Sequence, residues 1–245
     1  MVRIMNGKLI CKLVSIICAL QFALTANFGW AQEVKVDSKL DSIVRNVQGW
    51  YDNLLDLQAD FQQKTFSQTL KNTSEARGKI YFKKPHLIKW EYEFPEIQVY
   101  IIDQENFWWY VPEDAQVVKK KAGSVLQDAT PLSFLAGMGD LQKSFIITLP
   151  KEVKADKMGD VLYLNLTPRQ ESVNIKRMQI KLAAKTFQVL GMLVVDPYGN
   201  TNDIDFINIQ INRDLKNEIF HFVPPQGVDI ISGDAEQIGP SSKPF

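Results

Sequence analysis

Cysteine and histidine are scarce in this 245-residue chain, and no long apolar run follows the first 26 residues. Both cysteines, Cys11 and Cys18, fall in an amino-terminal stretch that reads as a signal peptide. Arg3, Lys8 and Lys12 stand there without an acidic neighbour, and an apolar run from Leu13 to about Ala26 leads to small residues at Gly29 and Ala31. Cleavage is expected after Ala31, with Ala26 as the second choice. At about 14 residues the run falls short of the ~20 that span a bilayer. A bulky Ile17 before Cys18 argues against a lipidation site. An exported, soluble domain beginning at Gln32 would have no disulfide, no thiol nucleophile and no thiolate metal site.

Positive charge is not in excess either. The leader holds three of the 28 basic residues and none of the 28 acidic ones, which leaves a mature net charge of −3. Nucleic acid is therefore excluded as the expected partner, because phosphate binding draws on a basic patch. Catalytic motifs are missing as well: there is no H-E-x-x-H, G-x-S-x-G or phosphate-binding loop. The only histidines, His86 and His221, lie far apart in sequence. Asp203 and Asp205 fall on a face expected to meet water. No catalytic residue, metal ligand or cofactor is assigned, and a hydrolase is the third-ranked reading.

Aromatic side chains are plentiful, with five Trp, seven Tyr and 14 Phe, and they need covering or a use. Leu40, Ile43, Val44, Val47, Tyr51, Leu54 and Leu55 recur at helical spacing behind Ser38 and Asp41, which resemble a capping box. From Leu57 the period becomes two. Turn signals at 72–74, 84–85, 94–95, 103–104 and 112–114 cut the chain into strands of an antiparallel meander. Ile88, Trp90, Tyr92 and Phe94 alternate with Leu87, Lys89, Glu91 and Glu93, which predicts a sheet with one apolar and one wet face. Ile80 and Phe82 extend the apolar face, as do Leu162, Leu164 and Leu166, then Met178, Ile180 and Leu182. In 202–212 the apolar phase slips by one residue, which predicts a β-bulge near Phe206. Thr130-Pro131 followed by Leu132, Phe134, Leu135 and Gly137 reads as a short apolar helix. Residues 32–232 are expected to form one domain and 233–245 a flexible tail.

Several segments resemble the LolA family of periplasmic lipoprotein carriers. They are Ala59-Asp60-Phe61-Gln62-Gln63, Ile80-Tyr81-Phe82-Lys83-Lys84-Pro85-His86-Leu87-Ile88-Lys89-Trp90, Phe107-Trp108-Trp109-Tyr110-Val111-Pro112, Thr130-Pro131, and Phe220-His221-Phe222-Val223-Pro224-Pro225-Gln226-Gly227-Val228. In order, they cover nearly all of residues 36–231. The resemblance implies a mainly β, α+β fold: an incomplete antiparallel β-barrel of about eleven strands whose apolar cavity is closed by a helical lid. It implies a monomeric periplasmic chaperone that takes acylated lipoproteins from the LolCDE transporter and passes them to a LolB-like receptor. The expected acyl cavity is Ile80, Phe82, Ile88, Trp90, Tyr92, Leu164, Ile180 and Phe206. Leu132, Phe134, Leu135 and Met138 are the expected lid residues. Lys84 stands where the family commonly has a lid-latching arginine, and its lack of a planar fork implies a looser latch. Ile88 replaces an aromatic common at its position. The alternative is a periplasmic lipid or lipoprotein stress sensor resembling RseB-type half-barrel regulators, which usually carry a second domain for which the mature chain leaves no room.

Overall fold

The structure, a computed structural model, describes residues 38–126, 141–150 and 160–232. Helix α1 (Ser38–Asn53) buries Ile43, Val44, Val47 and Tyr51, as its spacing predicts. Leu54 is buried just past its end, whereas Leu55, expected on the same stripe, is 61% exposed because the helix has already stopped.

Among the described residues, twelve strands form a single sheet. They are β1 (Asp56–Ser67), β2 (Asn72–Lys83), β3 (Leu87–Phe94), β4 (Gln98–Ile102), β5 (Asn106–Val111) and β6 (Gln116–Lys121) in the first half, and β7 (Phe145–Thr148), β8 (Val161–Pro168), β9 (Arg177–Ala183), β10 (Val189–Val195), β11 (Thr201–Ile211) and β12 (Asp229–Ser232) in the second. Their order is β12-β6-β5-β4-β3-β2-β1-β11-β10-β9-β8-β7. Two meanders thus meet at the β1–β11 pair, where antiparallel Leu57 faces Ile211 and Phe66 faces Thr201. The outer strands β12 and β7 do not pair with each other, so the barrel stays open. The count is twelve because Asp229–Ser232 adds an edge strand to β6, and it does so in parallel.

The connection from β6 to β7 joins opposite sides of the sheet. Its described ends are two short helices, α2 (Ala122–Leu126) and α3 (Leu141–Ser144). The expected lid residues Leu132, Phe134, Leu135 and Met138 lie between these helices and outside the described residues, as do the leader and the tail from 233.

Local physics accounts for three departures from the predicted pattern. The first turn sits at 68–71, closed by the Lys71 amide donating to the Ser67 carbonyl at 2.8 Å, with Lys71 at φ 53°; Asn72, Thr73 and Ser74 already belong to β2. Phe94 was expected to share the apolar face of Tyr92. The register between β2 and β3 slips there, so that Gly78 opposes Tyr92 but Arg77 opposes Phe94. The slip turns Phe94 outward, 43% exposed, with the Arg77 guanidinium 5.0 Å from its ring centre. At Gly78 a Cβ would sit 1.8 Å from the Glu91 carbonyl oxygen, so this close approach requires glycine.

The slip in β11 is a bulge: Gln58 and Asp60 of β1 pair with Gln210 and Ile207, leaving one extra residue on β11. Asn208 absorbs it at φ 54°. The bulge therefore falls slightly later than expected, since Ile207 lies before it and points outward, 41% exposed, while Ile204 and Phe206 point inward.

The outer face is wet, as alternation predicts. Cross-strand pairs lace it, including Lys79–Glu93 at 2.7 Å, Lys181–Asp205 at 3.0 Å and Lys64–Glu75 at 3.2 Å. Two apolar patches on this face are covered by the carboxyl-terminal segment. Leu87 packs with Leu215 and Phe220, and Trp108 and Val117 pack with Phe222 and Val228. Among the described residues, no helix is long and apolar enough to cross a membrane.

Candidate functional site

All eight residues expected to line the cavity fall into one buried cluster on the inner face of the sheet: Ile80, Phe82, Ile88, Trp90, Tyr92, Leu164, Ile180 and Phe206. They arrive from five strands, β2, β3, β8, β9 and β11, because each occupies the inward parity of its strand. Both meanders therefore build one continuous apolar interior. α1 contributes Ile43, Val47 and Tyr51 to the same cluster, Leu54 joins it from just past the helix, and the described ends of the β6–β7 connection contribute Ala122, Leu126 and Leu141.

An aromatic ladder runs through it. Phe206 meets Trp90 at 6.5 Å between ring centres, Trp90 meets Phe61 at 5.1 Å, and Phe61 meets Tyr92 at 5.0 Å. Tyr92 then meets Tyr100 at 5.9 Å, and Tyr100 stacks on Trp109 at 5.7 Å. Phe61, Tyr100 and Trp109 were not singled out from sequence as cavity residues. The signal was there in Gln98-Tyr100-Ile102 and Phe107-Trp109, which hold the inward parity of β4 and β5.

The interior is polar at one end. Among the described residues, the buried polar or charged side chains are Asp56, Gln63, Gln98 and Asn202. The Tyr92 hydroxyl donates to Gln63 Oε1 at 2.8 Å, and Gln63 Nε2 donates to Thr65 Oγ1 at 3.3 Å. Gln98 Oε1 accepts from the Tyr100 hydroxyl at 3.0 Å and from Trp109 Nε1 at 3.2 Å. Burial pushes the Tyr92 and Tyr100 hydroxyls well above the ordinary tyrosine pKa, so both remain neutral donors at any physiological pH. Asp56 serves a different purpose: its carboxylate accepts from the backbone amides of Arg213 at 2.8 Å and Asp214 at 2.9 Å, tying the segment after β11 to the start of β1.

Lys84 lies at the opposite end of β2 from this polar group. Its Nζ donates to the Tyr51 carbonyl at 2.7 Å and the Asp52 carbonyl at 2.9 Å. Both belong to the last turn of α1, where carbonyls have no partner within the helix and a cation is favoured. Lys84 thus holds the carboxyl end of α1; the lid residues it was expected to latch lie outside the described part of the chain.

The rest of the surface offers little chemistry. His86 and His221 are exposed, and Asp203 and Asp205 belong to the outer face, where Asp205 pairs with Lys181. Among the described residues, no group of three or more His, Cys, Asp or Glu could hold a metal ion.

Comparison with known proteins agrees with this geometry. A family profile described as outer membrane lipoprotein carrier protein LolA matches residues 52–223. An outer-membrane lipoprotein carrier protein of Chromobacterium violaceum is 30% identical over 178 residues, covering 73% of this chain and 82% of its own. One from Nitrosospira multiformis is 28% identical over 193 residues, covering 77% and 88% respectively. Among solved structures, an uncharacterized conserved protein from Thermus thermophilus aligns with a TM-score of 0.51 and 14% identity, covering 79% of this chain and 99% of its own, which supports the fold alone.

Proposed function

The chain belongs to the LolA family of outer membrane lipoprotein carrier proteins, and from that premise we propose that it is a periplasmic carrier, not an enzyme, whose inner cluster shelters the acyl chains of lipoproteins in transit. The observation that carries the reading is the single apolar interior assembled from both meanders and roofed by helical residues. The lipoprotein would be received from an inner-membrane transporter of LolCDE type and surrendered to a LolB-like receptor, with the carrier acting as a monomer.

Magnitudes explain why such a carrier is needed and why it cannot be a perfect fit. Each methylene is worth about 0.8 kcal/mol, so three acyl chains of ~15 methylenes would cost on the order of 36 kcal/mol to hold in water. Non-covalent affinity saturates near about 20 kcal/mol. A site matching the whole cost would be unattainable, and one approaching it would not release. An adaptable interior that covers itself when empty solves both problems. Ile43, Val47 and Tyr51 of α1 fill that interior in the structure, and Leu132, Phe134, Leu135 and Met138 are proposed to do the same from the lid. Entering acyl chains displace both.

Photo-crosslinking tests this directly. A photoreactive phenylalanine analogue at Phe206, on the inner face, should crosslink the acyl chains of a lipoprotein in intact envelopes. The same group at Tyr198, 78% exposed, should not. Absence of acyl adducts at Phe206, or equal yields at both positions, would refute the reading.

A further inference from the structure

Asn202 is 7% exposed, and its Oδ1 has no hydrogen-bond partner among the described residues. It sits on β11 in the inward parity of Ile204 and Phe206, and it is paired with Thr65 on β1 and Val194 on β10. Gln63, two residues before Thr65, is 1% exposed. Its Oε1 is taken by Tyr92, and its Nε2 spends one proton on Thr65 and carries a second. The same corner therefore presents a buried acceptor and a buried donor on neighbouring strands, at the edge of an otherwise apolar cluster. Just beyond it Ser74 and Glu96 are exposed, so this end of the interior borders solvent. Leaving a buried acceptor unmatched is unfavourable, and such an atom in a native fold calls for a partner.

We propose that this corner binds the secondary amide through which an acyl chain is joined to the amino terminus of its protein. The amide N–H donates to Asn202 Oδ1, and the amide carbonyl accepts from Gln63 Nε2. The inference rests on the carrier reading above and adds an orientation to it. The methylenes run from Asn202 along Phe206 and Trp90 towards Phe82 and Ile102, and the peptide leaves past Ser74 and Glu96. A secondary amide suits this pair of groups because it is both donor and acceptor, whereas a bare hydrocarbon would leave both unmatched.

The test compares two synthetic lipopeptides, each with an N-palmitoyl, S-dipalmitoylglyceryl cysteine, one with the natural secondary amide and one with that amide N-methylated. Binding is measured to the full mature protein and to Asn202→Leu. The wild type should prefer the secondary amide by roughly five- to tenfold, the value of one hydrogen bond, and Asn202→Leu should bind both alike. Asn202→Ala, read in the same way, serves if the leucine variant fails to fold. Wild-type indifference to N-methylation, or an unchanged preference in the folded variant, overturns the amide site and leaves the carrier standing. A wild type that binds neither lipopeptide overturns both.

Discussion

Asp103 shows how one side chain can fix a turn. Its Oδ1 accepts from the amides of Glu105 at 2.8 Å and Asn106 at 2.6 Å, and its Oδ2 accepts from Trp108 Nε1 at 2.9 Å. Burial raises its pKa, but these donors outweigh burial and hold the carboxyl below its ordinary value. A depressed carboxylate adds stability above its unfolded pKa of about 3.9, and that stability is lost as pH falls through the lower folded value. Asp103→Asn should accordingly be less stable than wild type near neutrality, with a smaller loss of melting temperature as pH drops below about 4. Melting curves of equal acid sensitivity in the two proteins would contradict the assignment. Residue-level exceptions were also the hardest part to read in the sequence. Phe94 and Ile207 looked inward by alternation, and a slip of one residue in each strand turned them out. The bulge itself was legible in β11, because its apolar phase visibly changes, but not in β3, where the slip falls at the strand's last residues and leaves no pattern after it.

Among the elements, α1 matters most because it covers the interior and is held from both sides of its carboxyl end. Lys84 grips the Tyr51 and Asp52 carbonyls, and Asn212 Nδ2 donates to the Asn53 carbonyl at 3.2 Å while its Oδ1 accepts from Leu55 N at 2.8 Å. The helix was readable from its periodicity. Its attachment was not readable: the family resemblance implied a Lys84 latch on the lid residues, and no local pattern shows that Lys84 and Asn212, just past the end of β11, hold α1. Lys84→Leu should speed hydrogen exchange of the amides in the last turns of α1 by roughly tenfold, matching about 1–2 kcal/mol for partly exposed charged hydrogen bonds. Lys84→Arg should restore slow exchange. Unchanged exchange in Lys84→Leu would show that Lys84 does not hold the helix.

Across the molecule, two meanders meet at the central β1–β11 pair and leave short edges of four residues at β7 and β12. Short edges limit pairing between copies. This architecture was legible because its strands are half-wet: Lys89, Glu91, Lys181 and Asp205 mark the outer face almost without exception. The polar corner at Gln63, Gln98 and Asn202 was not legible, because polar residues at inward positions look like strand ends until the register with their neighbours is known. The same holds for β12, whose parallel pairing with β6 depends on a long return over the outer face.

On the carrier reading proposed above, the apolar interior opens to take lipoprotein acyl chains out of a membrane. Native mass spectrometry of residues 32–245, incubated with inner-membrane vesicles bearing an acylated lipoprotein, a LolCDE-type transporter and ATP, tests that uptake. A soluble one-to-one complex of carrier and lipoprotein should form, and only with ATP. A carrier recovered empty, while the lipoprotein stays in the vesicles, would contradict the claim.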